Sequence, residues 1–155
     1  MNFPHPPIPR GKILVLLAED LRLEDNLAFT IAADPAREGL AVLRIQPEAR
    51  GRPMRTEHRR EIEDAGEARI GEELPRRGIP FEVLGPGDDM SLVAACRRLG
   101  CTSVIRNAAD GIAAENAHRV GWEQELHSAN IPFLTVNGEM IRRVANGLTA
   151  EMVSA

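Results

Sequence analysis

Five apolar runs, spaced by amphipathic stretches long enough for helices, constrain this chain more than any other feature. They are "KILVLLA" (Lys12 to Ala18), "LAVLRIQ" (Leu40 to Gln46), "FEVLG" (Phe81 to Gly85), "TSVIR" (Thr102 to Arg106) and "PFLTV" (Pro132 to Val136). Strand-length runs alternating with helical segments are the pattern of strands feeding crossover helices in a parallel sheet. The first run is apolar throughout after its lysine, as a central strand covered on both faces must be.

The segments between them carry helix signals. "DNLAFTIAAD" opens on an Asx cap at Asp25 or Asn26. From Thr56 to Gly78, Ile62, Gly66, Ile70 and Leu74 recur at i+4, while Gly66, Gly71 and Pro75 weaken the helix. "DDMSLVAACRRLG" is expected to be capped by Asp88 or Asp89, to bury Leu92, Val93, Cys96 and Leu99, and to end on Gly100. In "GIAAENAHRVGWEQELHSANI", Ile112, Asn116, Val120 and Glu123 share one stripe and Trp122 and Leu126 another, so the single tryptophan packs on the sheet or on a partner.

The 155 residues suit one domain and show no repeat or composition break. Residues 1–11, with four prolines, are expected to be an extended arm, 12–141 the α/β domain, and 142–155 a tail or short helix. At 43% hydrophobic and 27% charged, with no apolar run near the ~20 residues of a membrane span, the composition is that of a protein in water. Cys96 and Cys101, five apart, fit neither a metal spacing nor a disulfide framework. They read as small buried hydrophobes in a reducing cytoplasm.

The basic stretch Arg50 to Arg60 is followed at once by acids and has no interleaved aromatic, so it reads as a solvated loop and helix start, with no direct nucleic-acid binding. The pattern G-x-G-x-x-G is absent after the first strand, as are a P-loop and a G-x-S-x-G elbow. His5, His58, His118 and His127 form no i,i+4 pair, so no metal site and no catalytic residue is assigned; His118 and His127 read as surface helix residues. In parallel sheets ligands bind beyond the carboxyl ends of the strands where the strand order reverses. That rule selects Asp20, Arg22, Gln46 and Asn107 as candidate ligand-binding residues. The alternative is architectural: Arg22 pairing with Asp20 or Asp25, and Asn107 satisfying a strand-end backbone.

The first strand and "DLRLEDN" after it resemble the opening of the photolyase/cryptochrome family, W-F-R-x-D-L-R-L-x-D-N-P, matched at Asp20, Leu21, Arg22, Leu23, Asp25 and Asn26. "AVLRIQPE" stands where that family has a second strand ending near Asp-Pro, "GIPFEVLGPGD" resembles its third strand and turn, and "LGCTSVIRN" its fourth strand, with Asn107 at the terminal asparagine. "ELHSANIPFLTVNGEMI" resembles the last helix and strand. Leu16, Leu17 and Ala18 replace Trp-Phe-Arg, Leu27 replaces the proline, and "AADGIA" replaces Asp-Tyr-Glu-Pro-Tyr.

The resemblance implies the N-terminal α/β domain, which in this family can hold an accessory flavin or folate-type pigment. The FAD and the repair chemistry belong to a separate helical domain, so that FAD is not expected here and the chain by itself is expected to lack activity. The expected fold is α/β, a three-layer Rossmann-like five-stranded parallel sheet with strand order 3-2-1-4-5. The expected function is binding of a flavin, folate or nucleotide-type ligand, or docking on a separate FAD-binding helical partner. The alternative is a module with a decayed pocket that associates with itself as a homodimer. A nucleotide-hydrolysing, universal-stress-like protein is a third reading, but it needs a glycine pattern that "RNAADGIAAEN" does not supply.

Overall fold

The computed structural model describes residues 11–17, 21, 23–24, 26–33, 38–46, 56–85, 88, 91–107 and 113–136, the side chains of 113–120 excepted. Residues 1–10 of the expected arm, the whole expected tail 142–155 and residues 137–141 of the expected domain lie outside these, as do Ile112 and the side chains of Asn116 and Val120; Glu123, the last member of that expected stripe, is exposed.

Strands β1 (Ile13–Leu17), β2 (Leu40–Ile45), β3 (Phe81–Leu84), β4 (Ser103–Asn107) and β5 (Phe133–Val136) alternate with helices α1 (Leu27–Ala32), α2 (Glu57–Arg76), α3 (Leu92–Leu99) and α4 (Ala113–Ser128). The strands form one parallel sheet in the order β3-β2-β1-β4-β5, as the sequence predicts. Strand β1 sits at the centre, with Leu14 beside Ala41 on one side and Val104 on the other. All five of its residues are buried.

Side chains alternate across a strand, so the sheet separates two cores. Ile13, Val15, Leu17, Val42 and Ile105 meet Ala28, Phe29 and Ala32 of α1 and Ile70 and Leu74 of α2. On the other face Leu14, Leu16, Leu43, Ile45 and Val104 meet Leu92, Ala95 and Cys96 of α3 and Trp122 and Leu126 of α4. Right-handed crossovers explain the division: the chain moves outward through α1 and α2, then returns across the sheet through α3 and α4.

Asn26 caps α1 by accepting from the Phe29 N–H at 3.0 Å. Helix α3 ends on Gly100 at φ 72°, a left-handed conformation that glycine adopts without a Cβ penalty. Its N-cap, however, is Ser91, whose Oγ accepts from the Ala94 N–H. Asp88 instead closes the turn after β3, accepting from the Gly85 N–H at 2.8 Å. The helix starts later than the aspartates suggested, because Ser91 directly precedes its first buried residue, Leu92.

Helix α2 corrects the expected stripe. Glu63, Ile70 and Leu74 are its buried residues, while Ile62 is 57% exposed. A strict i+4 repeat drifts about 40° per step from a 3.6-residue turn, so three steps back from Leu74 the inward position is 63, not 62. Pro75 lies in the last turn, two residues before the Arg77 cap, so the backbone bond that its missing N–H removes falls at the helix end rather than in its middle.

Candidate functional site

The carboxyl ends of β2, β1 and β4 form one edge of the sheet. Asp20 and Arg22 lie outside the described residues. Gln46 and Asn107 both face α1 and α2, on strands that flank β1, and by the sheet register Gln46 lies two residues beyond the level of Asn107, so their backbones stand about 12 Å apart.

Asn107 is bound into the architecture. Its Oδ1 accepts from the Ala28 N–H at 3.0 Å, and its Nδ2 donates to Asn26 Oδ1 at 2.8 Å. Asn26, 2% exposed, is thereby held in the position from which it caps α1. The two asparagines satisfy backbone donors that the first turn of a helix leaves unpaired, and so fasten α1 to the end of β4.

Gln46 belongs to a different cluster. Its backbone N–H continues the sheet to Leu84, and its Nε2 straddles the carboxylate of Glu67 on α2, at 3.4 Å from Oε1 and 3.3 Å from Oε2. Both contacts are at the outer limit for N–H···O bonds, hence weak. Gly85 makes room for the side chain, since a Cβ there would come within 2.9 Å of Gln46 Oε1. Glu67 also accepts from Arg44 Nε at 3.2 Å. Arg44 is fully buried on β2, with Nη1 donating to the Ile45 carbonyl at 2.9 Å, whereas the Glu67 side chain is 21% exposed. A buried guanidinium thus holds a carboxylate at the mouth.

A second buried arginine, Arg106, lies on the opposite face. Its Nε donates to the Asn107 carbonyl, and its guanidinium carbon is 5.9 Å from the centroid of the Trp122 ring, within the range of a cation–π contact. Trp122 packs on the sheet, one of the two destinations expected for it. Nearby, Glu125 of α4 accepts from Ser91 Oγ at 2.6 Å and from the Val93 N–H at 3.2 Å, tying α4 to the start of α3.

Sequence reasoning missed Arg44, Glu67 and Arg106. The signal was present, since an arginine inside "LAVLRIQ" or "TSVIR" sits where both faces of the sheet are covered. Such a charge requires a partner, and the next helix after β2 is rich in acids.

The cysteines are buried and free. Burial, with smaller contributions from Cys101 and Glu125, pushes the Cys96 thiol up to about 12, and burial raises Cys101 as well. Neither is a poised nucleophile. His58 and His127 are exposed. Among the described residues no group of three or more His, Cys, Asp or Glu is placed to hold a metal, and no helix is long and apolar enough to cross a membrane. A groove of about 480 Å³ at the start of β5, lined by Glu123, His127, Ile131 and Phe133 among others, is separate from the mouth.

No family model and no curated protein matches the sequence. Among solved structures the chain is similar to a bacterial class III photolyase from Agrobacterium tumefaciens, at a TM-score of 0.61 and 17% identity over 85% of this chain. The fold is photolyase-like. The chain spans about a quarter of that photolyase, 27% of its length, and the likeness is one of fold.

Proposed function

We propose that the chain is a photolyase-related α/β domain that binds a flavin, folate or nucleotide-type ligand at the carboxyl ends of β1, β2 and β4. The observation carrying this reading is the Arg44–Glu67–Gln46 cluster, a fixed charge and an adaptable amide at the edge where parallel sheets take ligands. A fully buried guanidinium is seldom the most stable way to fill such space, because apolar residues of similar volume do as well or better. Its position at the mouth supports recognition as its purpose. The photolyase-like fold supports a planar conjugated ligand as the class to try first.

The test is optical. Chain purified from its natural host is expected to carry near-ultraviolet or blue absorbance from a bound ligand, or to be stabilised by flavins, folates or adenine or guanine nucleotides. A colourless protein that none of these stabilises would overturn the proposal.

A further inference from the structure

The two edges of the sheet are built alike and guarded differently. Strands β3 and β5 are each four residues long and each follows a proline, so length does not separate them. The parallel register commits the backbone of Leu134 to β4, and the Val104 N–H donates to the Pro132 carbonyl at 2.9 Å. The N–H and C=O groups of Phe133 and Thr135 therefore point away from the sheet, and among the described residues nothing pairs with them. At β3, where the Val42 N–H donates to the Pro80 carbonyl, the same alternation turns Phe81 and Val83 outward. A row of unpaired backbone groups is a template for a further strand.

We propose that β5 joins two copies of this chain, each β5 running antiparallel to the other across a two-fold axis at Leu134. Phe133 then lies opposite the partner's Thr135, and Thr135 opposite the partner's Phe133. Each such pair exchanges two N–H···O bonds, so every outward group of both strands is used once, and Leu134 meets its counterpart on the axis. On the α3/α4 face this sets an aromatic ring beside a β-branched side chain, a favourable cross-strand pair. The same pairing at β3 places its axis at Glu82, with two carboxylates directly opposite each other. Glu82 is also drawn into an edge ion pair with Arg98 at 3.1 Å. Strand β5, Phe-Leu-Thr-Val, has strand-forming residues and no charge, and Thr135 is exposed. Charge thus blocks self-pairing at β3 and leaves β5 open to it. The groove between α4 and the start of β5, lined by Ile131, Pro132 and Phe133 among others, extends this surface. A two-fold perpendicular to the sheet brings both grooves to one side of the joined, ten-stranded sheet. The inference stands apart from the ligand-binding reading, since the mouth is formed by β1, β2 and β4.

Sedimentation equilibrium of the full chain over a concentration series tests this. A reversible equilibrium between monomer and dimer is expected. Thr135→Pro deletes an outward N–H and no bond to β4, so the variant is expected to keep the far-ultraviolet circular dichroism of the parent chain. By symmetry it removes two of the four interchain bonds, and it is expected to raise the dimer dissociation constant at least ~10-fold. Should Thr135→Pro not fold, Thr135→Lys keeps the backbone donor, sets a charge on the edge beside the partner's Phe133, and is expected to weaken the dimer in the same direction. A chain that stays monomeric at every concentration, a dimer that neither variant weakens, or assemblies that grow beyond two copies would overturn the inference.

Discussion

The two buried arginines, one on each face of the sheet, are used in opposite ways. Arg106 stays inside: its Nε bonds to the carbonyl of the next residue and its guanidinium lies over Trp122. Arg44, just as buried, bonds to Glu67, a carboxylate with part of its surface in solvent. On the α3/α4 face polar groups close joints, as Glu125 does between α4 and the start of α3. On the α1/α2 face Asn107 closes a joint with α1, but the Glu67–Gln46 pair is held only by long contacts. The contrast locates the adaptable part of the molecule beside β2 rather than beside β4.

The largest expected effect tests the closed face. Trp122→Ala removes a side chain that is 4% exposed and is expected to cost about 4 kcal/mol, measured by urea denaturation. A cost under about 1 kcal/mol would mean that the α3/α4 face is not the sealed core described. On the other face, Glu67→Ala leaves the Arg44 charge without this carboxylate, at an expected cost of about 3 kcal/mol.

The two amides at the mouth should separate next. Asn107→Ala deletes the acceptor for the Ala28 N–H and the donor to Asn26, for an expected loss of about 2 kcal/mol, whereas Gln46→Ala is expected to cost under about 0.5 kcal/mol. Equal losses would erase the distinction between an architectural and an adaptable side of the mouth.

The smallest effect at moderate pH concerns Cys96 on the closed face. Its thiol titrates near 9 in an unfolded chain and at about 12 in the fold, so the neutral form is favoured by folding. The stability this represents is fully present below pH 9 and is lost as pH rises from 9 toward 12, by up to about 1.4 kcal/mol per pH unit. With no tyrosine in the chain, Lys12 and Cys101, itself raised by burial, are the main other side chains that titrate in that window. Cys96→Ala is expected to flatten the decline in denaturation midpoints between pH 9 and 10.5; an unchanged slope would show that the thiol is not sealed.

Much of this architecture is legible in the sequence. The five strands fall within a residue or two of the apolar runs, and Asn26 and Gly100 mark helix ends as expected. These features are local, set by burial of a whole strand or by the backbone needs of a helix terminus. Glu63 was not legible because its position is inward while its charge argues outward, and Ile62 shows the reverse. The site was half legible. Strand ends can be read from one chain, which gives Gln46 and Asn107, but Glu67 reaches Gln46 only through the packing of α2 on β2, 21 residues away. What distinguishes Gln46 from Asn107 is the partner each finds in three dimensions.

The claim that the mouth beside β2 is the binding side is tested most directly by hydrogen–deuterium exchange with and without folic acid or GMP. Slowed exchange is expected to be confined to the carboxyl end of β2 and the facing turns of α2 around Glu63 to Glu67, with the amides of α3 unchanged. Protection centred on α3 and α4, or none at either face with ligand in excess, would contradict it.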